Sequence, residues 1–99
     1  MSNIEMMPLG DILSITQPAL VSRDGMDGIY RILNHMTNED LHTHMLPGAA
    51  DKCRPNLLEQ HPMLADVRFT GNNPSPEDVY SWLETQESLY GATLPVEAL

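Results

Sequence analysis

His42, His44, Cys53 and His61 are the side chains in this sequence whose types best suit metal binding or nucleophilic catalysis. They lie in or just beyond "LHTHMLPGAADKC" (residues 41–53), and they include three of the four histidines and the one cysteine. Zinc takes three or four nitrogen, sulfur or oxygen donors converging tetrahedrally. These four could supply them, but the spacing contains no CxxC, no HExxH and no cysteine pair. If the segment is helical, His42 and His44 point about 200° apart, and only an extended chain puts both on one face. A thiol–imidazole pair of Cys53 with one of these histidines is the catalytic alternative. It needs a helix N-terminus or basic neighbours to lower the thiol pKa, and Lys52 and Arg54 flank the cysteine. The plainer assignment is one buried, hydrogen-bonded histidine, one at the surface, and Cys53 as a small core residue. The motifs GxSxG, GxGxxG and GxxxxGK[ST] are all missing. The expectation is therefore a non-enzymatic protein without a cofactor.

The elements that would hold these residues are short. "PLGDILSIT" predicts a helix over about 8–16 stopped by Pro18, its β-branched residues leaving a strand open, and "ALVS" (19–22) reads as extended. Met26, Ile29, Tyr30, Leu33 and Met36 recur at helical spacing and predict a helix over about 24–36, capped by Ser22 or Asp24, with Asp27, Arg31 and Asn34 outward. "TNED" has the form of a capping box, Thr37 with Asp40, opening a short helix that Pro47 ends. A turn or two follows, then another short helix from Pro55 to Pro62. "ADVRFTG" (65–71) alternates like a strand, "GNNPS" reads as a turn, and the extended tail "ATLPVEAL" is placed against "DVRFT". The last helix has the fullest signature: Ser75 as N-cap, Pro76 at the first position, Asp78 closing the box and Gly91 after the end. Its apolar stripe is Val79, Trp82, Leu83, Leu89 and Tyr90. The fold expected is one mainly α domain over residues 1–99, with four or five short helices and at most a small β element, and an α+β arrangement as the alternative.

Composition narrows the function classes. Ninety-nine residues suffice for a core without obligatory disulfides, and here it is soft, with seven Met against one Trp, one Phe and three Tyr. One cysteine precludes an internal disulfide and suits a reducing compartment. The N-terminus carries acids and no Lys or Arg before its apolar residues, unlike a secretory signal, and no apolar run is long enough to span a bilayer, so a soluble cytoplasmic protein is expected. Fourteen acids oppose five bases, a net charge of −9, and no Lys or Arg follows Phe69. Such a chain repels nucleic acid and anionic membrane and is attracted to basic protein surfaces. The candidate contacts are Glu77, Asp78, Glu84 and Glu87, with Asp24 and Asp27 as a second cluster. Glu77 and Asp78 also sit where the helix dipole favours negative charge.

The phrases "MPLGDILSIT", "LVSRDGMDGIYRILNHMT", "LHTHMLPGAADKCRPNLLEQHPMLADV" and "YGATLPVEAL" resemble a family of short, functionally unassigned proteins of tailed bacteriophages and prophages. The likeness spans nearly the whole chain, departs at Gln17–Pro18, and carries no catalytic motif, so it transfers context and no site residues. It implies phage origin and action in the bacterial host cytoplasm. Joined to the charge, it leads to an anti-CRISPR-like inhibitor, a DNA mimic that binds a basic, nucleic-acid-handling host defence protein such as a CRISPR effector. A small metal-dependent or Cys–His enzyme and a virion or assembly component are the alternatives, and a homodimer suits any of them.

Overall fold

The computed structural model describes residues 3–17, 20–69 and 75–99. Strand β1 (Ile4–Pro8) leads into helix α1 (Leu9–Thr16). Helix α2 (Met26–Thr37) follows, then a 3₁₀ turn at Thr43–Met45, helix α3 (Leu46–Gln60), a second 3₁₀ turn at Pro62–Leu64, helix α4 (Pro76–Tyr90) and strand β2 (Thr93–Glu97). The fold is mainly α, with one small antiparallel two-stranded sheet joining the two ends of the described chain.

Helix α1 is apolar nearly all round, and Leu9, Ile12, Leu13 and Ile15 are wholly or almost wholly buried, as a central helix requires. Helices α2 and α3 flank it, contributing Ile29, Ile32, Leu33 and Met36 from one and Leu46, Cys53 and Leu57 from the other. Helix α4 buries Leu83 alone, and Val79, Trp82 and Tyr90 are partly covered. Trp82 meets Phe69 edge to face at 5.4 Å. Met7 and Val96 close the core from the sheet.

One charged residue lies inside this apolar set. Asp11, on α1, is 1% exposed. Ser22 Oγ donates to its Oδ1 at 2.6 Å, and Arg31 Nε donates to its Oδ2 at 2.8 Å. Arg31 reaches on to Asp24 at 2.5 Å. Ser14 fastens the same junction, donating to the Gly10 carbonyl and accepting from the amides of Val21 and Ser22, both at 2.9 Å. A buried carboxylate is tolerable only when paired and hydrogen-bonded, and here both oxygens are. The approach of α2 depends on Gly28, because a Cβ there would overlap Ser22 Oγ and Asp11 Oδ1.

Several expectations are corrected. Ser22 and Asp24 do not cap α2, whose N-cap is Gly25 at φ +58°; the Ser22 hydroxyl donates to Asp11 and accepts from the Asp24 amide, ahead of the helix. Asp27 and Arg31 are exposed as expected, although the Arg31 guanidinium bends back onto Asp11 and Asp24, while Asn34 is half-buried and accepts from the Leu41 amide. The Thr37–Asp40 capping box does not form: Thr37 ends α2, its hydroxyl donating to the Leu33 carbonyl, and Asn38 takes the left-handed conformation. The short helix expected between Thr37 and Pro47 is reduced to the 3₁₀ turn Thr43–Met45, while the turn or two after Pro47 and the helix from Pro55 are one continuous helix, α3. Pro47 stands in the first turn, where amides lack helical partners, and Pro55 stays inside the helix on an exposed face. Residues 65–69 form no strand; the Phe69 amide donates to Gln17 Oε1 at 2.7 Å, and the tail pairs with Ile4–Pro8 instead. Leu89, assigned to the apolar stripe, is exposed. The stop at Pro18, Ala19 of the extended segment, residues 70–71 of the strand and most of the "GNNPS" turn lie outside the described residues. The Ser75–Asp78 box does form, with both hydrogen bonds at 3.2 Å.

Two glycine substitutions separate close packing from helix propensity. Gly28→Ala is expected to cost about 2–4 kcal/mol by overpacking and by displacing the partners of the buried Asp11 carboxylate. Gly48→Ala, in open space on α3, should gain up to about 1 kcal/mol. Urea unfolding of the two variants measures the contrast.

Candidate functional site

The histidine and cysteine candidates do not converge. Cys53 is 0% exposed on the buried face of α3. Burial pushes its thiol pKa up, and the nearby Lys52 charge offsets this only in part. A neutral, enclosed thiol is a poor nucleophile. His42 and His44 are both exposed, so neither is the buried histidine of the plainer assignment. His42 is extended before the 3₁₀ turn, and the two rings stack at 6.0 Å with planes 4° apart, not opposed as a helix would set them. His61 closes α3 at 8% exposure, and its Nε2 donates to the Pro95 carbonyl at 2.7 Å. His35, which no local motif marks out, does the same for the Val96 carbonyl at 2.7 Å. Gln60 completes this clamp on β2, accepting from the Glu97 amide at 2.8 Å and donating to its carbonyl at 2.9 Å. Among the described residues no three His, Cys, Asp or Glu side chains gather as metal ligands.

The acidic candidates are placed differently. Arg23 donates to Glu87 at 2.6 Å and thereby fastens the turn before α2 to α4. Asp24, next in sequence, is held by Arg31. The two clusters singled out in the sequence, around Asp24 and around Glu87, thus meet across one cleft of about 130 Å³, lined by Pro8, Gly10, Asp11, Arg23, Asp24, Leu83 and Glu87. Asp78 is engaged at its own helix N-terminus, whereas Glu77, Glu84 and Asp27 are exposed with no ion-pair partner among the described residues. Glu87 raises the Arg23 pKa by hydrogen bond and charge, and Glu84 and Tyr80 add to the field there. Arg31 is raised further, by its hydrogen bonds to Asp11 and then Asp24. Arg23 also lies 5.7 Å from the Tyr80 ring centre.

Asp11, Ser22 and Arg31 were missed in the sequence. The signal available was an aspartate, the one charged residue of the largely apolar run "LGDILSIT", together with a glycine inside the next helix. Each Asp11 oxygen accepts one hydrogen bond, from Ser22 or from Arg31, and the group is almost wholly buried. Its chemistry is to hold α1, the turn at Ser22 and α2 together. Of the five cations, Arg23, Arg31 and Arg54 engage Glu87, Asp11, Asp24 and Asp51. That leaves ten of the fourteen acids (fourteen less four) against Lys52 and Arg68. The surplus charge therefore belongs to carboxylates outside the arginine pairs.

Over residues 7–67 the chain matches a family described as a domain of unknown function (DUF7736). No curated protein and no solved structure matches it. The matched segment contains Asp11, Ser22, Gly28 and Arg31, together with Cys53 and all four histidines, while Glu77, Asp78, Glu84 and Glu87 lie beyond it.

Cys53 offers a test of the enclosed-thiol assignment. Alkylation of the native protein by iodoacetamide is expected to run roughly two orders of magnitude slower than in denaturant. With the folded thiol pKa above its ordinary 9.0, the stability contributed by the neutral group is complete below that value and is lost as pH rises through the folded value. Cys53→Ala should flatten the alkaline fall in unfolding free energy.

Proposed function

We propose, since this chain belongs to the DUF7736 family and that family carries no assigned activity, that its role is non-enzymatic binding of a basic protein through displayed carboxylates. The observation that carries the reading is the Arg23–Glu87 ion pair, which sets the acidic faces of α4 and of the start of α2 beside one cleft. Glu77, Glu84 and Asp27 stand free for a partner; Glu87, Asp24 and Asp78 position them and add to the field. The expected partner handles nucleic acid, since an arginine- and lysine-lined channel made for phosphates also accepts carboxylates. In its sharpest form the proposal is a phage-encoded, anti-CRISPR-like inhibitor and DNA mimic acting in the bacterial host cytoplasm on a defence protein such as a CRISPR effector. The charge supports the basic partner; the sequence resemblance supports the phage and host setting. No helix of the described chain is long and apolar enough to cross a membrane.

Glu77→Lys with Glu84→Lys is the appropriate variant, because it reverses two exposed carboxylates without cutting the Arg23–Glu87 pair. Basic nucleic-acid-binding proteins should be retained from bacterial lysate by the parent at low salt, released at high salt, and retained about tenfold less by the variant. Equal retention by both proteins, or retention indifferent to salt, would overturn the reading.

A further inference from the structure

The two edges of the small sheet are treated in opposite ways. Leu9 N donates to Ala92 O, and Ala98 N to Asn3 O, both at 2.9 Å and both in the register that pairs Ile4 with Glu97. Antiparallel ladders alternate, so Glu5–Val96 and Met7–Leu94 are the hydrogen-bonded pairs, and the backbone groups of Ile4, Met6, Pro95 and Glu97 point outward. On β2 the outward groups of Pro95 and Glu97 are taken, and only Thr93, at the strand's first position, keeps outward groups with no partner among the described residues. Pro95 has no N–H, its carbonyl accepts from His61, and both Glu97 groups are held by Gln60. On β1 the amides and carbonyls of Ile4 and Met6 meet nothing among the described residues. The two residues are 53% and 58% exposed, and no lysine, inner proline or bulge protects the strand. An open edge of this kind is a template for another strand.

We infer that β1 pairs antiparallel with β1 of a second copy, forming a four-stranded sheet across a two-fold axis. The blocked β2 edge selects this occupant and this symmetry. A copy can add only through β1, already extended and of matching length, and the assembly closes at two instead of growing into a filament. With the axis at Glu5, Ile4 faces Met6 of the other copy twice over, giving four backbone hydrogen bonds. Centring the axis on Met6 gives two from the same groups. The first register opposes the two Glu5 carboxylates, each 3.7 Å from its own His35 Nδ1, but repulsion between such exposed, screened charges is smaller than the two additional hydrogen bonds. Ile4 and Met6 from each copy then share one outer face with Pro95. Because each copy carries a net charge of −9, the pairing should strengthen with salt, the reverse of what binding to a basic partner requires.

Sedimentation of the full chain over a concentration series, at low and high salt, tests this. The parent should pass from monomer to dimer, at lower concentration when salt is high. Met6→Pro removes an outward amide and no ladder bond, as Pro95 does opposite it, and should raise the dissociation constant at least about tenfold with helical circular dichroism unchanged. Glu5→Gln removes the opposed charges and should lower that constant, a gain that misfolding cannot imitate. A parent monomeric throughout overturns the inference, as does a folded Met6→Pro protein that dimerises like the parent, or Glu5→Gln without effect. Since the Glu77 and Glu84 reversals are read by retention and not by sedimentation, either proposal can fail alone.

Discussion

The structure turns on a carboxylate kept inside an apolar helix. Asp11 is tolerable at 1% exposure because Ser22 and Arg31 occupy its oxygens, and they reach it because Gly28 carries no side chain. Removing one partner would strand a buried charge or a buried donor, a larger loss than the pair's own net contribution. The knot therefore specifies as much as it stabilises. It fixes how α2 crosses α1, where the intervening turn runs, and hence where Arg23 and Asp24 project.

A second set of polar contacts fixes the other end. His35 from α2, and His61 and Gln60 from the end of α3, hold the backbone of β2, while Leu99 N reaches the Met36 carbonyl at 2.9 Å. A two-stranded sheet is marginal alone, and here helix side chains supply what a third strand would. The histidines that first suggested chemistry divide between this clamp, which takes His61, and the surface, which keeps His42 and His44. The thiol has gone to the core. The arrangement uses its reactive residue types as structural donors and packing, and its excess acids as surface.

That division bears on the binding reading. The knot and the clamp histidines fall within the family-matched segment, while the α4 acids follow it, tied to it by Arg23–Glu87. The match thus covers the scaffold and one side of the cleft; the other side is supplied by the helix beyond it. The ion pairs near the cleft are partly exposed and contribute little each, so their effect is on placement more than on stability.

Local signals in the sequence determined the mainly α class, the apolar face of α1, most of that of α2 (Met26 is exposed and Ile32, not singled out, is buried), and the two ends of α4, whose Ser75–Asp78 box and Gly91 end depend on neighbours within a turn. They determined the sign and excess of the charge as well. They misjudged the prolines, because Pro47 and Pro55 are permitted or not according to which turn and which face they occupy, and both depend on packing. They misplaced the partner of the C-terminal strand because "IEMMP" lacks β-branched alternation, and its pairing is decided by where α1 and α4 leave the two ends. Ser22, Arg31 and His61 have several hydrogen-bonding options in any local window. Which one each takes is set by groups 11, 20 and 34 positions away in the chain, and only the folded arrangement brings those groups within reach.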